Sequence, residues 1–321
     1  MTTFGDIVYQ LGGVPVGSGL GSVGLAGGNV FFVNGTGLDA ASGKGPDDAL
    51  KTIAQGYAKT TTNNNDIVIL VGDSSGAQID ASTSTGLAWA NSYTHLIGAC
   101  APVKYAKRAR IFHNFNASPV WTISGSGCSF ENFYFSHGRG STDNKIGISL
   151  TGDYNYFGNC HLAGPQHATD GNQTSYSVIT LNGAASSTFE SCIFGSDTTA
   201  RGNGATSITF AGTDTVGQTW FNKCDFVSRA SNAGATHMEV GAAVGLIVID
   251  GCTMINEGTT ITQAIDSDIA DTTYRKIIVK PPFIVVGATD VADATGDGTI
   301  WTERFTATAN VIGLAINPAA A

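Results

Sequence analysis

The chain has 321 residues, 42 of them Gly, with 13% charged residues and a formal net charge of −9. That balance argues against nucleic acid as the main partner, because phosphate binding needs clustered Lys and Arg. No apolar run approaches the roughly 20 residues needed to span a bilayer, and no secretory signal with a charged start and an apolar centre opens the chain. The expectation is therefore a soluble protein made and folded in a reducing compartment, with no membrane partner. Abundant Gly, Ser, Thr and Asn point to a β-rich fold with many tight corners.

Residues 1–28 contain nine Gly and no run able to build a core. Phe4, Ile7, Val8, Tyr9, Leu11, Val14 and Pro15 nevertheless make the segment too apolar for a plain solvated linker. The arm is expected to dock on a partner; folding back to cap its own domain is the alternative. Val30 to Val33 reads as a strand, followed by a Gly-punctuated loop over 34–45. Pro46 to Ala58 is predicted as a short helix, with Asp47 and Asp48 at its favoured acidic end and Leu50, Ile53, Ala54 and Tyr57 on one face. Asp66 to Gly72 follows as a buried strand. A helix here would cover the open end of a repetitive fold, where core and unpaired backbone are otherwise exposed.

From there the chain repeats. Phe157-Gly158-Asn159-Cys160-His161-Leu162 sets a pattern that returns at Phe189 to Phe194, Phe221 to Phe226 and Ile249 to Met254. Ile97 to Pro102 is an earlier copy, and Phe130 to Phe135 carries Phe133 in the Cys place. The anchors Cys100, Phe133, Cys160, Cys192, Cys224 and Cys252 are 33, 27, 32, 32 and 28 residues apart. A second element shares the frame: Trp121-Thr122-Ile123, Ile148-Ser149-Leu150, Ile179-Thr180-Leu181, Ile208-Thr209-Phe210 and Met238-Glu239-Val240 alternate apolar and polar as one-face-buried strands do. Two or more short strands per unit, with no helical periodicity, predict an all-β parallel β-helix whose rungs lie about 4.8 Å apart.

Stacking places equivalent residues in ladders. The outer two residues of each triplet point inward and the middle one to solvent. In the Phe-x-x-Cys unit the first and fourth residues both point inward, so a residue between them must break the strand. Asn132, Asn159, Ser191, Lys223 and Gly251 hold that place, and the left-handed conformation suits Asn and Gly; looser corners are expected at Ser191 and Lys223. The cysteines are read as reduced apolar fillers of one buried ladder. Six Cys in a chain of this length do not form a secreted cystine framework, and no C-x-x-C or His pair suggests zinc. Cys128 lies outside the column with no assigned role. The basic cluster Lys104 to Arg110 is expected to be a solvated turn. His137, His161, His167 and His237 share no repeat position and are read as surface or corner residues. After residue 256 the Cys pattern stops. Residues 257–321, with Pro281-Pro282 breaking two apolar runs, are read as a C-terminal cap or assembly element, leaving residues 29–256 as the solenoid.

Phe32-Val33-Asn34-Gly35, Gly37-Leu38-Asp39, Ser42-Gly43, Pro46, Leu50-Lys51-Thr52-Ile53-Ala54 and Asp66-Ile67-Val68-Ile69 resemble the opening segment of pectin-lyase-like right-handed β-helix proteins. That pattern is common in bacteriophage tailspikes and other virion proteins. Phe4-Gly5-Asp6 and Tyr9 to Pro15 also resemble the starts of phage-encoded β-helix proteins associated with virion heads. The resemblance implies a virion location, assembly in the host cytoplasm, a capsid or neighbouring virion protein as partner, and a homotrimer. The family also includes polysaccharide lyases and hydrolases. The residue after each first anchor gives the column Glu131, Gly158, Glu190, Asn222 and Asp250, whose acids stand two rungs, about 9 to 10 Å, apart. That is near the upper limit for an inverting glycosidase pair. The cations Arg139, Lys145, Arg201 and Arg229 are scattered through corner loops. The favoured reading is a structural virion protein without catalytic residues, cofactor or metal, anchored by its arm. The alternative is a tailspike that binds or depolymerises host surface glycan along Glu131, Glu190 and Asp250. A bacterial adhesin or secreted pectinolytic enzyme is disfavoured by the missing signal.

Overall fold

A computed structural model describes residues 10–11, 14–15, 28–73, 76–78, 86–138, 140, 142, 145–211, 217–241, 245–267, 276–292 and 299–302. Of the proposed anchoring residues, Phe4, Ile7, Val8 and Tyr9 lie outside these, and Gln10–Leu11 pairs antiparallel with Val14–Pro15. The remainder winds through three parallel sheets of ten, eight and eight strands, successive coils giving one strand to each sheet and sheet one having one further strand at either end. Sheet one runs from Val30–Val33 to Thr299–Thr302, sheet two from Ala77–Gln78 to Ile284–Val286, and sheet three from Leu87–Trp89 to Ala288–Ala292.

The triplets superimpose in sheet three. Trp121 pairs with Ile148, Ile148 with Ile179, Ile179 with Ile208 and Ile208 with Met238. All five are fully buried, as are Ile123, Leu150, Leu181 and Val240. In sheet one Phe130, Phe157, Phe189 and Phe221 stack with centroids 4.8, 4.9 and 5.0 Å apart, the rung spacing itself.

The strand break after each Phe or Ile is a single left-handed residue: Asn132 (φ 56°), Asn159 (47°), Ser191 (53°), Lys223 (53°) and Gly251 (62°). Ser191 and Lys223 therefore turn as tightly as their neighbours, against the looser corners expected of them. Stacking over-determines the conformation, so the rung above and below overrides the intrinsic cost at one residue. Beyond the corner, Cys160, Cys192, Cys224 and Cys252 form a buried file of free thiols. Each thiol donates to the carbonyl of the aromatic residue one rung earlier: Cys160 to Phe130, Cys192 to Phe157, Cys224 to Phe189 and Cys252 to Phe221, at 3.2–3.4 Å.

Cys100 is outside this file. Phe130 pairs with Leu96 rather than Ile97, so Cys100 falls one residue past the anchor place; it is half-buried, with its thiol directed at the Asn132 carbonyl. The column therefore begins at Phe133. Ile97 instead joins Phe32, Ile67 and Ile69 in a small apolar cluster apart from the main core. Cys128 is a buried core residue whose thiol donates to Asn91 O at 3.4 Å.

The predicted helix over 46–58 is shorter. Pro46–Asp48 forms a 3-10 turn, Ala49 is extended, and Leu50 bridges to Val33, so only α1 (Ile53–Ala58) is helical. Asp39 accepts the backbone N–H groups of Lys51 and Thr52, and Thr52 caps the helix by accepting from Gln55 N. That capping fixes the start of α1 at Ile53, seven residues later than the sequence predicts. Leu50 and Ile53 are fully buried, and Tyr57 packs on Trp89 with ring centroids 4.8 Å apart.

The sheets also run past residue 256. Lys276–Lys280, Ile284–Val286 and Ala288–Ala292 extend sheets one, two and three in parallel register, with Pro281-Pro282 between the first two. The boundary at 256 marks where the thiol file ends, not where strand pairing ends. Beyond Cys252 the burial demand at that corner is met without Cys, so the sequence marker vanishes while the ladder continues.

Candidate functional site

The outward residues of sheet one form the column expected. Glu131 pairs with Gly158, Gly158 with Glu190, Glu190 with Asn222, Asn222 with Asp250, and Asp250 with Lys280. Two positions upstream on each strand a second outward column carries Ser129, Tyr156, Thr188 and Trp220. Tyr156 and Trp220 share the parity of the acids, the signal by which the sequence marks them as outward-facing.

These side chains interlock. Tyr156 donates its hydroxyl to Glu190 Oε2 at 3.1 Å. Burial, then the Glu190 charge, push the phenol pKa well above its ordinary value. A Cβ on Gly158 would stand 2.7 Å from the Tyr156 ring, so that ring lies across the gap between Glu131 and Glu190. Asp250 pairs with Lys280 at 3.7 Å, and the Lys280 ammonium sits 5.1 Å from the Trp220 ring centre. The acids are thus aligned but separated by two rungs, with an aromatic side chain across the first gap. A paired acid and base need about 5 to 9.5 Å and room for a water or sugar carbon between them. The arrangement offers an open, half-exposed strip of aromatic and charged groups suited to binding.

Sheet two is covered rather than open. Its outward column of Tyr134, His161, Ile193 and Asp225 lies beneath the segment 101–109. Lys104 forms an ion pair with Asp225, and Tyr105 meets His161 edge-on at 5.6 Å. Ala106 N donates to His161 Nδ1 at 3.1 Å, which leaves the proton on Nε2 to donate to Gly195 O at 2.9 Å. Lys107 is fully buried, donating to the carbonyls of Val103 and Lys104. The basic turn is exposed at Lys104 and Arg108 as expected, but Lys107 is enclosed and the segment also straps several rungs. Its partners are more than 50 residues away in sequence, so nothing local announces it.

Three of the four histidines differ from expectation, and His167 is exposed as expected. His137 and His237 are fully buried and His161 nearly so, while His167 caps α2 (Ala168–Gly171) by accepting from Thr169 N. His137 follows inward Phe135 by two residues, the parity that sends it into the core. Arg201 and Lys145 do not meet at any shared site, Arg139 is outside the described residues, and Arg201 is itself buried. Among the described residues no group of His, Cys, Asp and Glu could hold a metal ion.

Gly195 is the tightest point of this region. Its φ is +94°, and a Cβ there would lie 2.2 Å from both Val227 O and Arg201 Nη2. Gly195→Ala is expected to cost about 3 kcal/mol or more, from a left-handed strain term added to a backbone clash. An unfolding free energy from guanidinium titration lowered by less than a third of that would contradict the packing.

No protein-family model matches the sequence, and no curated protein matches it. Solved structures do match in shape. The pectate lyase Pel9A superposes with a TM-score of 0.52 at 9% identity, over 94% of this chain and 83% of its own. The pectin methylesterase from Aspergillus niger gives 0.51 at 14% identity, over 88% and 92%. A pectin methylesterase mutant in complex with a hexasaccharide gives 0.52 at 14%, over 89% and 93%. The fold is a right-handed parallel β-helix. At such identities the likeness extends to the β-helix scaffold alone, and catalytic residues are not transferred by it.

Proposed function

We propose that the chain is a structural, non-catalytic protein of a tailed-bacteriophage particle. It decorates or stabilises the capsid through its N-terminal arm and assembles in the host cytoplasm as a closed homotrimer. The single observation supporting a role without catalysis is Tyr156, which lies over Gly158 in the gap between Glu131 and Glu190 and is hydrogen-bonded to Glu190. The phage assignment rests on the sequence resemblance of residues 4–15 and 32–69. Deleting residues 1–28 is expected to leave the solenoid folded and to remove the protein from particles. Truncated protein found on particles at normal copy number would rule the anchor out.

A second reading, a glycan-binding flank, is favoured by the aromatic and charged strip of sheet one: Tyr156, Glu190, Trp220, Asp250 and Lys280. Two of the similar folds are named for action on pectin and another for pectate, and one holds a hexasaccharide. Aromatic faces bury sugar CH groups while flanking carboxylates accept hydroxyl protons. Trp220→Ala is expected to weaken binding of an acidic or neutral host-surface polysaccharide about tenfold or more by calorimetry, a loss of about 1.4 kcal/mol. Undiminished binding would dismiss the strip. Glu190→Gln should leave folding and infectivity near normal. If the parent protein released reducing or unsaturated ends from polysaccharide and this variant did not, the enzymatic alternative would replace the structural one.

A further inference from the structure

The corner where sheet three hands the chain to sheet one carries two large side chains in an unfavourable place. Backbone hydrogen bonds stack Asn63, Tyr93, Gly127, Tyr154 and Ser186 on successive rungs. Asn63 N donates to Ser92 O, Tyr93 N to Ser126 O, Gly127 N to Asp153 O and Tyr154 N to Ala185 O, at 2.8–2.9 Å. All five residues are left-handed, with φ of 61°, 51°, 67°, 57° and 55°. Asn and Gly accept that conformation readily, whereas a bulky ring does so at a cost. Core packing does not repay it, because Tyr93 is 51% exposed and Tyr154 68%. The Tyr93 ring lies over Gly127, where a Cβ would stand 2.8 Å from its Cε1. That contact sets the direction of the ring and still leaves half of it open to solvent.

The backbone beneath the rings is held by a second ladder, from the residue preceding each corner. Thr62 Oγ1 accepts from Ser92 N, Ser92 Oγ from Ser126 N, Ser126 Oγ from Asp153 N and Asp153 Oδ1 from Ala185 N, at 2.7–3.1 Å. Tyr93 and Tyr154 therefore project from a braced edge, so little ordering remains to be done when a ligand arrives. Their backbones are two rungs apart, about 9 to 10 Å along the solenoid axis. An extended chain of equatorially linked hexopyranoses advances by about one sugar per rung, which brings alternate sugars over the two rings. Ring faces cover sugar CH groups, while the neighbouring hydroxyls and the Asp153 carboxylate suit sugar hydroxyls. Neither ladder contains a cation, so an acidic glycan would find no counter-charge there. A protein interface needs a continuous apolar centre, and these two rings are divided by a glycine and bordered by polar groups.

We propose that this corner is a binding site for an uncharged, equatorially 1,4-linked polysaccharide lying parallel to the solenoid axis on Tyr93 and Tyr154. The site stands apart from the Trp220 and Lys280 strip of sheet one and involves no bond cleavage.

The test titrates the full-length protein by calorimetry with cellohexaose, β-1,4-mannohexaose and, as the charged counterpart, a β-1,4-linked hexaglucuronate. At least one neutral hexasaccharide should bind, and the hexaglucuronate should bind more weakly. Tyr93→Asn and Tyr154→Asn place in the corner the residue that Asn63 already supplies, so thermal midpoints should hold or rise. Each should weaken binding of the neutral sugar about tenfold, through loss of one stacked ring. No binding by either neutral sugar, equal or tighter binding of the hexaglucuronate, or full affinity in both Asn variants overturns the site. A midpoint that drops in the Asn variants also overturns it, because the rings would then serve packing. Trp220→Ala separates this corner from the sheet-one strip. Affinity lost in that variant and kept in Tyr154→Asn would place the sugar on the strip and dismiss the corner alone.

Discussion

Acidification from pH 7 to pH 5 is expected to remove most of the stability of this protein. Burial holds four histidines neutral in the folded state, with pKa values lowered from 6.5 to about 4 for His95, about 3 for His137, about 4 for His161 and about 3 for His237. Hydrogen bonds agree independently. His95 Nδ1 accepts from Ser129 N and His161 Nδ1 from Ala106 N, roles a protonated ring cannot fill. Between these folded values and 6.5 the unfolded chain binds more protons than the folded one, so stability rises with pH there and falls on acidification. At pH 5 each histidine costs about 2 kcal/mol relative to neutral pH, and the four together about 8 kcal/mol. Domains are stable by about 5–15 kcal/mol in total. Guanidinium midpoints at pH 7, 6 and 5 should therefore fall steeply, most of the loss arriving below pH 6.5. A midpoint unchanged between pH 7 and pH 5 would show that these rings are solvated. Replacing His137 with Gln should flatten the slope by roughly a quarter of its total, since one of four equivalent proton uptakes is removed.

Phe189→Ala is expected to be the most damaging single truncation in the core, at about 3–5 kcal/mol. Phe189 is fully buried, stacks on Phe157 at 4.9 Å and on Phe221 at 5.0 Å, and meets Phe194 edge-on at 5.5 Å. Its removal empties the centre of a column in which each ring supports only its two neighbours. A solenoid is stabilised chiefly by such nearest-neighbour interfaces, so the coils on either side should become thermodynamically separable. Denaturation followed by Trp fluorescence, which reports coils holding Trp89, Trp121, Trp220 and Trp301, should then lose coincidence with circular dichroism. A cost under 1 kcal/mol with a single coincident transition would mean that the rings do not carry the stack.

The repeating core was legible because period and parity survive stacking unchanged. Ile148, Ile179 and Ile208 are apolar for the same reason in the same place, and their spacing announces both strand and register. The Phe-x-x-Cys unit announced the corner, since two inward residues three apart require one left-handed residue between them. The marker misled only at its ends. Cys100 imitates the motif one residue out of frame, and the coils after Cys252 dispense with the thiol.

The outer column was legible in part. Glu131, Glu190 and Asp250 could be aligned by counting, but Tyr156 lying over Gly158 depends on where an aromatic ring turns. Rotamers are chosen by neighbours one rung away, about 30 residues distant in the chain, and no local pattern records them.

Sequence alone determined that this chain coils, how long each turn is, and which residues face inward, because a stacked fold writes the same burial demand into every copy. Tertiary structure alone decided the exceptions. Lys104 crosses to Asp225, Lys107 is enclosed by backbone carbonyls, and Arg201 is sealed beside Ser207 and His237. Lys107 and Arg201 place a charge in the interior although their own segments read as polar and solvated, since enclosure comes from strands and loops remote in sequence that are brought alongside only when the coils close.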